Sequence, residues 1–421
     1  MLLNALSKQG RLGDVNQMLD EMKTAGLDMD IVAYSTLIYG YCKLGEIDKA
    51  LQVCNMMCSK IVLPNSFGYG AILSSLCKKG MVIEARCILD KLDNNIHSVD
   101  VILYNMVIHG YVKMGDVNGA VGLYEKMLMD GITPTIVTYN SLILGFCKTG
   151  KLTEALNFLR TIELNGLVPT VVTYTTLMDA FCGVGDVVTM RQLLDEMVGK
   201  AIKPNVITYT VIMKGLCNQG RLQEAIDILK DMYAKGLGAD EITYNTLIQG
   251  FCEVRNKEMA FRIHSEMLQQ KLTPTPVTYN FLINVLCRSG YANRAEMFLN
   301  TLLEKGVKLR KFAYNTIIRA HCAKGMPHEA ILLFDRMVKM GFEISIEDYS
   351  AAINRLCKRH FVNEAMIFFK KMLQAGLSPD LELVAVICCT YRNKHDLRQL
   401  ATLQSIIIKH GLVALGRAHT Q

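Results

Sequence analysis

Tyrosines stand at positions 34, 69, 104, 139, 174, 209, 244, 279, 314 and 349, each 35 residues after the last, with no insertion or deletion in the series. An unbroken period of this length marks a repeat array in which every unit is one supersecondary element. Nine glycines (Gly10, Gly45, Gly80, Gly115, Gly150, Gly185, Gly220, Gly290, Gly325) keep the same phase, and six of the eight prolines (Pro64, Pro134, Pro169, Pro204, Pro274, Pro379) keep another. Both residue types interrupt helices, so turns recur within every period.

The apolar residues between those turns have helical spacing. Tyr209, Ile212, Met213, Leu216 and Cys217 step by three and four up to Gly220, as expected at the end of a first helix. Leu222, Ala225, Ile226, Leu229 and Met232 repeat the pattern up to Gly236, which offers a left-handed stop for a second helix. One such hairpin cannot bury both of its apolar stripes, so neighbours must stack. The expected fold is therefore all-α, a right-handed superhelical solenoid of stacked 35-residue helix-turn-helix repeats with an extended concave face.

Ten complete repeats are expected over residues 31–380, after a partial repeat at 1–30. Residues 381–421, with Val384 in the tyrosine slot and His395 in the glycine slot, read as a degenerate capping repeat. With 51% hydrophobic and 20% charged residues and no Pro-, Gly- or Ser-rich linker, the chain suits one continuous array better than a string of domains. Met1 falls at the sixth residue of a repeat, so an N-terminal truncation is expected. No run of 18 apolar residues occurs, which argues against a transmembrane helix and a membrane partner.

Of the 14 cysteines, nine (Cys42, Cys77, Cys147, Cys182, Cys217, Cys252, Cys287, Cys322, Cys357) follow the period. Equivalent side chains in successive repeats point the same way, so these are expected to be buried thiols rather than disulfide partners.

The strings Val137-Thr138-Tyr139-Asn140-Ser141-Leu142-Ile143 and Ile242-Thr243-Tyr244-Asn245-Thr246-Leu247-Ile248, the Gly-Phe-Cys at 145–147 and 250–252, and Glu154-Ala155 resemble the pentatricopeptide repeat consensus. The unbroken array resembles the P-class, with features of the restorer-of-fertility-like branch. The resemblance covers about nine-tenths of the chain. Tetratricopeptide repeats fit poorly: their period is about 34 residues with a Trp-x-x-Leu-Gly opening, and this chain has no tryptophan.

What the resemblance implies is sequence-specific binding of single-stranded RNA, about one base per repeat, by two or three side chains of each unit. The residue after each tyrosine is Ser35, Gly70, Asn105, Asn140, Thr175, Thr210, Asn245, Asn280, Asn315 or Ser350, and the last residue of each unit is Asn65, Asp100, Thr135, Thr170, Asn205, Asp240, Thr275, Arg310, Ser345 or Asp380. By residue type alone, the first set also suits helix N-terminal caps and the second turn positions. The couples vary from unit to unit, however, as base readout requires. Taken with the resemblance, Ser35/Asn65 and Thr175/Asn205 are expected to read adenine. Thr210/Asp240 and Ser350/Asp380 are expected to read guanine, Asn315/Ser345 cytosine, and the Asn/Thr couples at 105/135, 140/170 and 245/275 either pyrimidine. Gly70/Asp100 lacks one side chain, and Arg310 brings a cation beside Asn280 that suits phosphate.

Val32, Phe67, Ile102, Val137, Val172, Ile207, Ile242, Val277 and Phe312 precede the tyrosines by two residues. Core packing at a helix start would explain them; the family pattern instead implies that they sandwich neighbouring bases. Glu347 breaks this series. Lys43, Lys78, Lys113, Lys148, Arg288 and Lys358, with Lys8, follow the cysteine slot or its equivalent as a basic stripe, and Gly183, Asn218, Glu253 and Ala323 interrupt it. Phosphate binding is the expected role, and neutralising the helix C-terminus is the alternative. The excess of 46 basic over 39 acidic residues, net +7, permits an anionic partner without requiring one.

No catalytic constellation is found. The nine histidines form no His-Glu-x-x-His motif, and Cys54/Cys58 and Cys388-Cys389 lack a second pair at zinc spacing and read as core thiols. No metal, cofactor or enzymatic activity is expected, and the protein is expected to be monomeric. The roles implied are stabilising, processing or controlling translation of an organellar transcript, with a processing nuclease or other protein factors as partners. The organelle follows from the resemblance, mitochondrion before chloroplast, because no Arg- and Ser-rich transit segment stands at the start. A protein-interaction scaffold using the same face is the other functional class.

Overall fold

The computed structural model describes residues 31–59, 66–96 and 100–393, with positions 13, 14, 17 and 401 in addition. These residues form helices and no strands, and the chain divides into two compact units, Met1–Gly215 and Leu216–Gln421.

The repeat at 136–166 shows how the local sequence makes each hairpin. Thr135 has extended backbone and caps the first helix, Ile136–Lys148, through a capping box with Thr138. Pro134 precedes it in the extended connection, where its fixed φ and missing N–H cost nothing. Gly150, at φ +74°, then turns the chain into the second helix, Leu152–Leu164, and Gly166, at φ +71°, ends that one. Two repeats lack glycine at the first of these turns, and Arg255 (φ +60°) and His360 (φ +65°) take the left-handed backbone in its place.

In the first unit the first helices Ile31–Leu44, Ser66–Lys78, Val101–Met114, Ile136–Lys148 and Val171–Val184 pack directly on one another in order. In the second unit Glu241–Glu253, Pro276–Arg288, Lys311–Lys324, Ile346–Lys358 and Leu381–Asn393 do the same. The second helices form the other layer. Successive ones are bridged by long side chains, as where Lys126 Nζ of Val117–Met129 lies 2.7 Å from Asp90 Oδ1 of Val82–Ile96, and where Lys371 pairs with Asp335.

The core lies between the layers. Tyr104, Tyr139, Tyr174, Tyr209, Tyr244 and Tyr314 are fully buried, and Val384 in the tyrosine slot of the last described helix is buried as well. Ala225, Leu229 and Met232 are buried as their spacing predicts, while Leu222 and Ile226 are half-buried at the edge of the second-helix stripe. All the described cysteines are free thiols, and the periodic ones lie buried or half-buried. In two repeats the thiol packs tightly against a glycine of the next first helix. A Cβ added to Gly110 would lie 2.5 Å from Cys77 Sγ, and one added to Gly250 would lie 2.6 Å from Cys217 Sγ. The thiol fills the space that a missing side chain leaves on the next first helix. One expectation is corrected: Cys389 is exposed, because it turns to the side of Leu381–Asn393 away from the buried Val384 and Ile387. Cys58 has a side chain outside the described set.

Candidate nucleic-acid interface

Each first helix has two faces set by its sequence. In Ile136–Lys148, Tyr139, Leu142, Ile143 and Phe146 go into the core. Val137 and Asn140 are three residues apart, and Lys148 lies a further two turns on, so all three share one side of the cylinder. That side is open. Val32, Ile102, Val137, Val172, Ile207, Ile242, Val277 and Phe312 are 51–69% exposed. Core packing, the alternative role for this series, does not hold at these eight positions. An aliphatic side chain in water at the same place in successive repeats needs another apolar surface to cover it. Phe67 has a side chain outside the described set, and Glu347 is exposed like the residues it replaces.

The last residue of each unit is a helix N-cap. Asp100 accepts from the backbone N–H of Leu103, Asp240 from that of Thr243 and Asp380 from that of Leu383. Thr135, Thr170, Thr275 and Ser345 form capping boxes, and Asn205 Oδ1 accepts from the Thr208 N–H. Arg310 makes no side-chain cap bond. The position thus has the local backbone role that its residue types suit. The residue after the tyrosine is not a cap: it sits five residues into the helix. Asn65 lies outside the described residues.

The two members of a couple meet where successive first helices pack, and a third residue joins them. Thr173 Oγ1 donates to Asn140 Oδ1 at 2.6 Å while accepting from the Thr170 N–H at 3.0 Å. Thr138 joins Asn105 to Thr135 in the same way, with Asn105 Nδ2 also 3.4 Å from Thr135 Oγ1. Thr278 joins Asn245 to Thr275, and Thr208 lies 3.1 Å from the Thr175 hydroxyl and caps back to Asn205. Thr138, Thr173, Thr208, Thr243 and Thr278 are fully buried. The sequence carried a signal for them, a threonine before the tyrosine in five successive repeats, but its partner 33 residues earlier is set only by stacking.

The remaining repeats depart from this scheme. Asp348 takes the threonine position, and Asn315 Nδ2 donates to its Oδ1 at 2.6 Å while Lys311 Nζ lies 2.8 Å from its Oδ2. Burial alone would raise the Asp348 carboxyl, but Lys311 and the Ser345 donors outweigh it and hold the group below the ordinary carboxylate range. Ala313 stands in the sequence slot that holds threonine in other repeats, and Asn280 Oδ1 is buried without a hydrogen-bond partner; Ser350 Oγ is in the same state. Ser35 and Gly70 are buried. Thr210 donates to the Val206 carbonyl.

Lys43, Lys78, Lys113, Lys148, Arg288 and Lys358 are exposed at the ends of first helices; Lys8 lies outside the described residues. In the second unit a groove of about 460 Å³ gathers Arg288, Arg319, Lys324, Arg355 and Arg359 around the exposed Phe312. The basic stripe legible in the sequence includes only Arg288 of these cations, because the other four do not follow the cysteine slot. Among the described residues no cluster of three or more His, Cys, Asp or Glu could hold a metal, and no helix is long and apolar enough to cross a membrane.

Eight segments, 1–43, 29–78, 99–148, 134–183, 169–218, 204–253, 239–288 and 311–358, match the PPR repeat family, and 67–95, 277–307 and 348–377 match the PPR repeat. Among solved structures, the pentatricopeptide repeat protein PPR10 from maize is 22% identical with a TM-score of 0.55, over 97% of this chain and 69% of that one. PPR10 in complex with an 18-nt psaJ RNA element is 26% identical with a TM-score of 0.43, over 96% of this chain and 58% of that one. The PPR domain of Arabidopsis thaliana protein-only RNase P 1 in complex with tRNA is 19% identical with a TM-score of 0.36, over 42% of this chain and 94% of that one. No curated protein sequence matches the chain significantly.

Proposed function

Because this chain belongs to the pentatricopeptide repeat family, we propose that it binds single-stranded RNA sequence-specifically, about one base per repeat. The observation that carries this proposal is the juxtaposition, repeat after repeat, of an exposed aliphatic residue and a polar couple on one side of the first helices. An unpaired base has an apolar face and a polar edge, and needs both kinds of contact. Val137 and Val172 would press on the two faces of a base while Asn140 and Thr170 meet its edge. Lys113, Lys148 and the arginine groove would hold the backbone without regard to sequence.

In this proposal the couples select, from 5′ to 3′, A, any base, Y, Y, A, G, Y, a weak Y, C and G, where Y is either pyrimidine. The protein would act as a P-class, restorer-of-fertility-like factor on an organellar transcript, in the mitochondrion before the chloroplast. It would work without catalysis, as a monomer, by shielding the RNA, opening a hairpin or recruiting a nuclease.

Selection from a random RNA pool, followed by anisotropy with the selected ten-base sequence, tests the idea. A recovered preference that follows the couples supports it. Absence of RNA affinity at low salt would overturn it and leave the protein-scaffold class.

A further inference from the structure

Resting on that proposal, we infer that the third residue of the following first helix sets which end of the asparagine amide a base meets, and so decides between uracil and cytosine. The couples alone do this only in part: Asn140/Thr170 accepts either pyrimidine and Asn315/Ser345 leans to cytosine, although both are an amide beside a small hydroxyl.

The hydrogen bonds make them opposites. Thr173 has one lone pair occupied by the Thr170 backbone N–H and gives its proton to Asn140 Oδ1. The carbonyl end of that amide is engaged, which leaves the Nδ2 donor as the end for a base to meet. Thr278 does the same to Asn245; Thr138 also engages Asn105 Oδ1, but there Nδ2 has Thr135 Oγ1 at 3.4 Å as well. Asp348 has no proton to give, since Lys311 at 2.8 Å keeps it ionised. Only Nδ2 can face a carboxylate, so Asn315 turns Nδ2 inward at 2.6 Å and presents Oδ1 as an acceptor.

Uracil and cytosine differ in a way that makes this reversal readable. At the 4-position uracil has a carbonyl and cytosine an amino group; at N3 uracil has N–H and cytosine a lone pair. Donor and acceptor are exchanged at both atoms. Whichever of them the amide meets, reversing the amide reverses the uracil–cytosine preference. Asn280, whose Oδ1 has no partner and whose repeat is followed by Ala313 in the threonine slot, is fixed in neither sense and discriminates least.

The test uses the full chain and four ten-base RNAs carrying uracil or cytosine at the base facing Asn140 or Asn315, with affinity read by fluorescence anisotropy. The expected result is opposite ranking at the two positions, on the order of tenfold for one well-placed hydrogen-bonding pair. Asp348→Thr should bring the Asn315 position into line with Asn140. The double variant Ile136→Lys/Thr173→Asp, which rebuilds the ion pair, should invert the Asn140 position, and thermal melting confirms that each variant is folded. The same ranking at both positions in the unaltered protein, or a ranking unmoved by Asp348→Thr, overturns the inference while RNA binding itself stands. Failure to bind any of the four RNAs overturns both.

Discussion

The Tyr139 hydroxyl accepts a 2.8 Å hydrogen bond from Asn165 Nδ2, 26 residues further on, and so ties the start of a first helix to the end of its own second helix. Tyr104 with Asp130, Tyr174 with Lys200 and Tyr314 with Met340 have the same separation. In these four repeats the tyrosine is a core ring with a polar end that closes its own hairpin. Tyr139→Phe keeps the ring and loses the bond, and is expected to lower stability by about 1 kcal/mol in urea unfolding.

Arg255 and His360 hold left-handed backbone that glycine occupies in the other repeats. A side chain there strains the turn by about 1–2 kcal/mol, part of which glycine loses again through its greater freedom in the unfolded chain. Arg255→Gly and His360→Gly should each raise stability by roughly 0.5–1 kcal/mol, read as a higher urea midpoint.

Glycine to alanine has opposite signs at two helical sites. At Gly250 the new Cβ would lie 2.6 Å from Cys217 Sγ and 2.7 Å from its Cβ, whereas at Gly122 it meets nothing within 4 Å. Gly250→Ala should destabilise by about 1–3 kcal/mol through overpacking. Gly122→Ala should stabilise by up to about 1 kcal/mol through helix propensity. Thermal melts of the two variants give the comparison.

Burial pushes the thiols of Cys252, Cys287 and Cys322 up to about 12, from an ordinary value of 9.0. An acid raised on folding keeps its proton longer in the native state. Its stabilising effect is whole below about pH 9 and is lost as pH rises from there towards 12. Stability should therefore fall between pH 9 and pH 11, measured as the urea midpoint under reducing conditions. At pH 7 a maleimide should label the exposed Cys87 and Cys389 quickly, and Cys252 and Cys322 only on unfolding.

Val172 is 61% exposed and Lys148 is exposed, so their removal should leave the fold intact and report on RNA. Val172→Ala should weaken binding by about 1 kcal/mol without altering base preference. Lys148→Ala should reduce the dependence of log K on log salt by about 0.7, as loss of one phosphate contact to a single strand requires. Anisotropy at several salt concentrations separates the two effects.

Much of this was legible in the residues. The 35-residue phase of tyrosine, glycine and proline was enough for paired helices, their turns and a stacked array, because each of those depends on backbone preference and on which side of a helix is apolar. The positions of the polar couples could be read for the same reason. Two things could not. Val137 and Phe146 are both apolar first-helix residues, yet one is in water and the other in the core; a one-helix pattern shows an apolar residue without showing what covers it. Nor could the sequence show that Asn315 points its amide the opposite way from Asn140. That depends on Asp348 and Thr173, each 33 residues away, and such a contact exists only once one hairpin has stacked on the next.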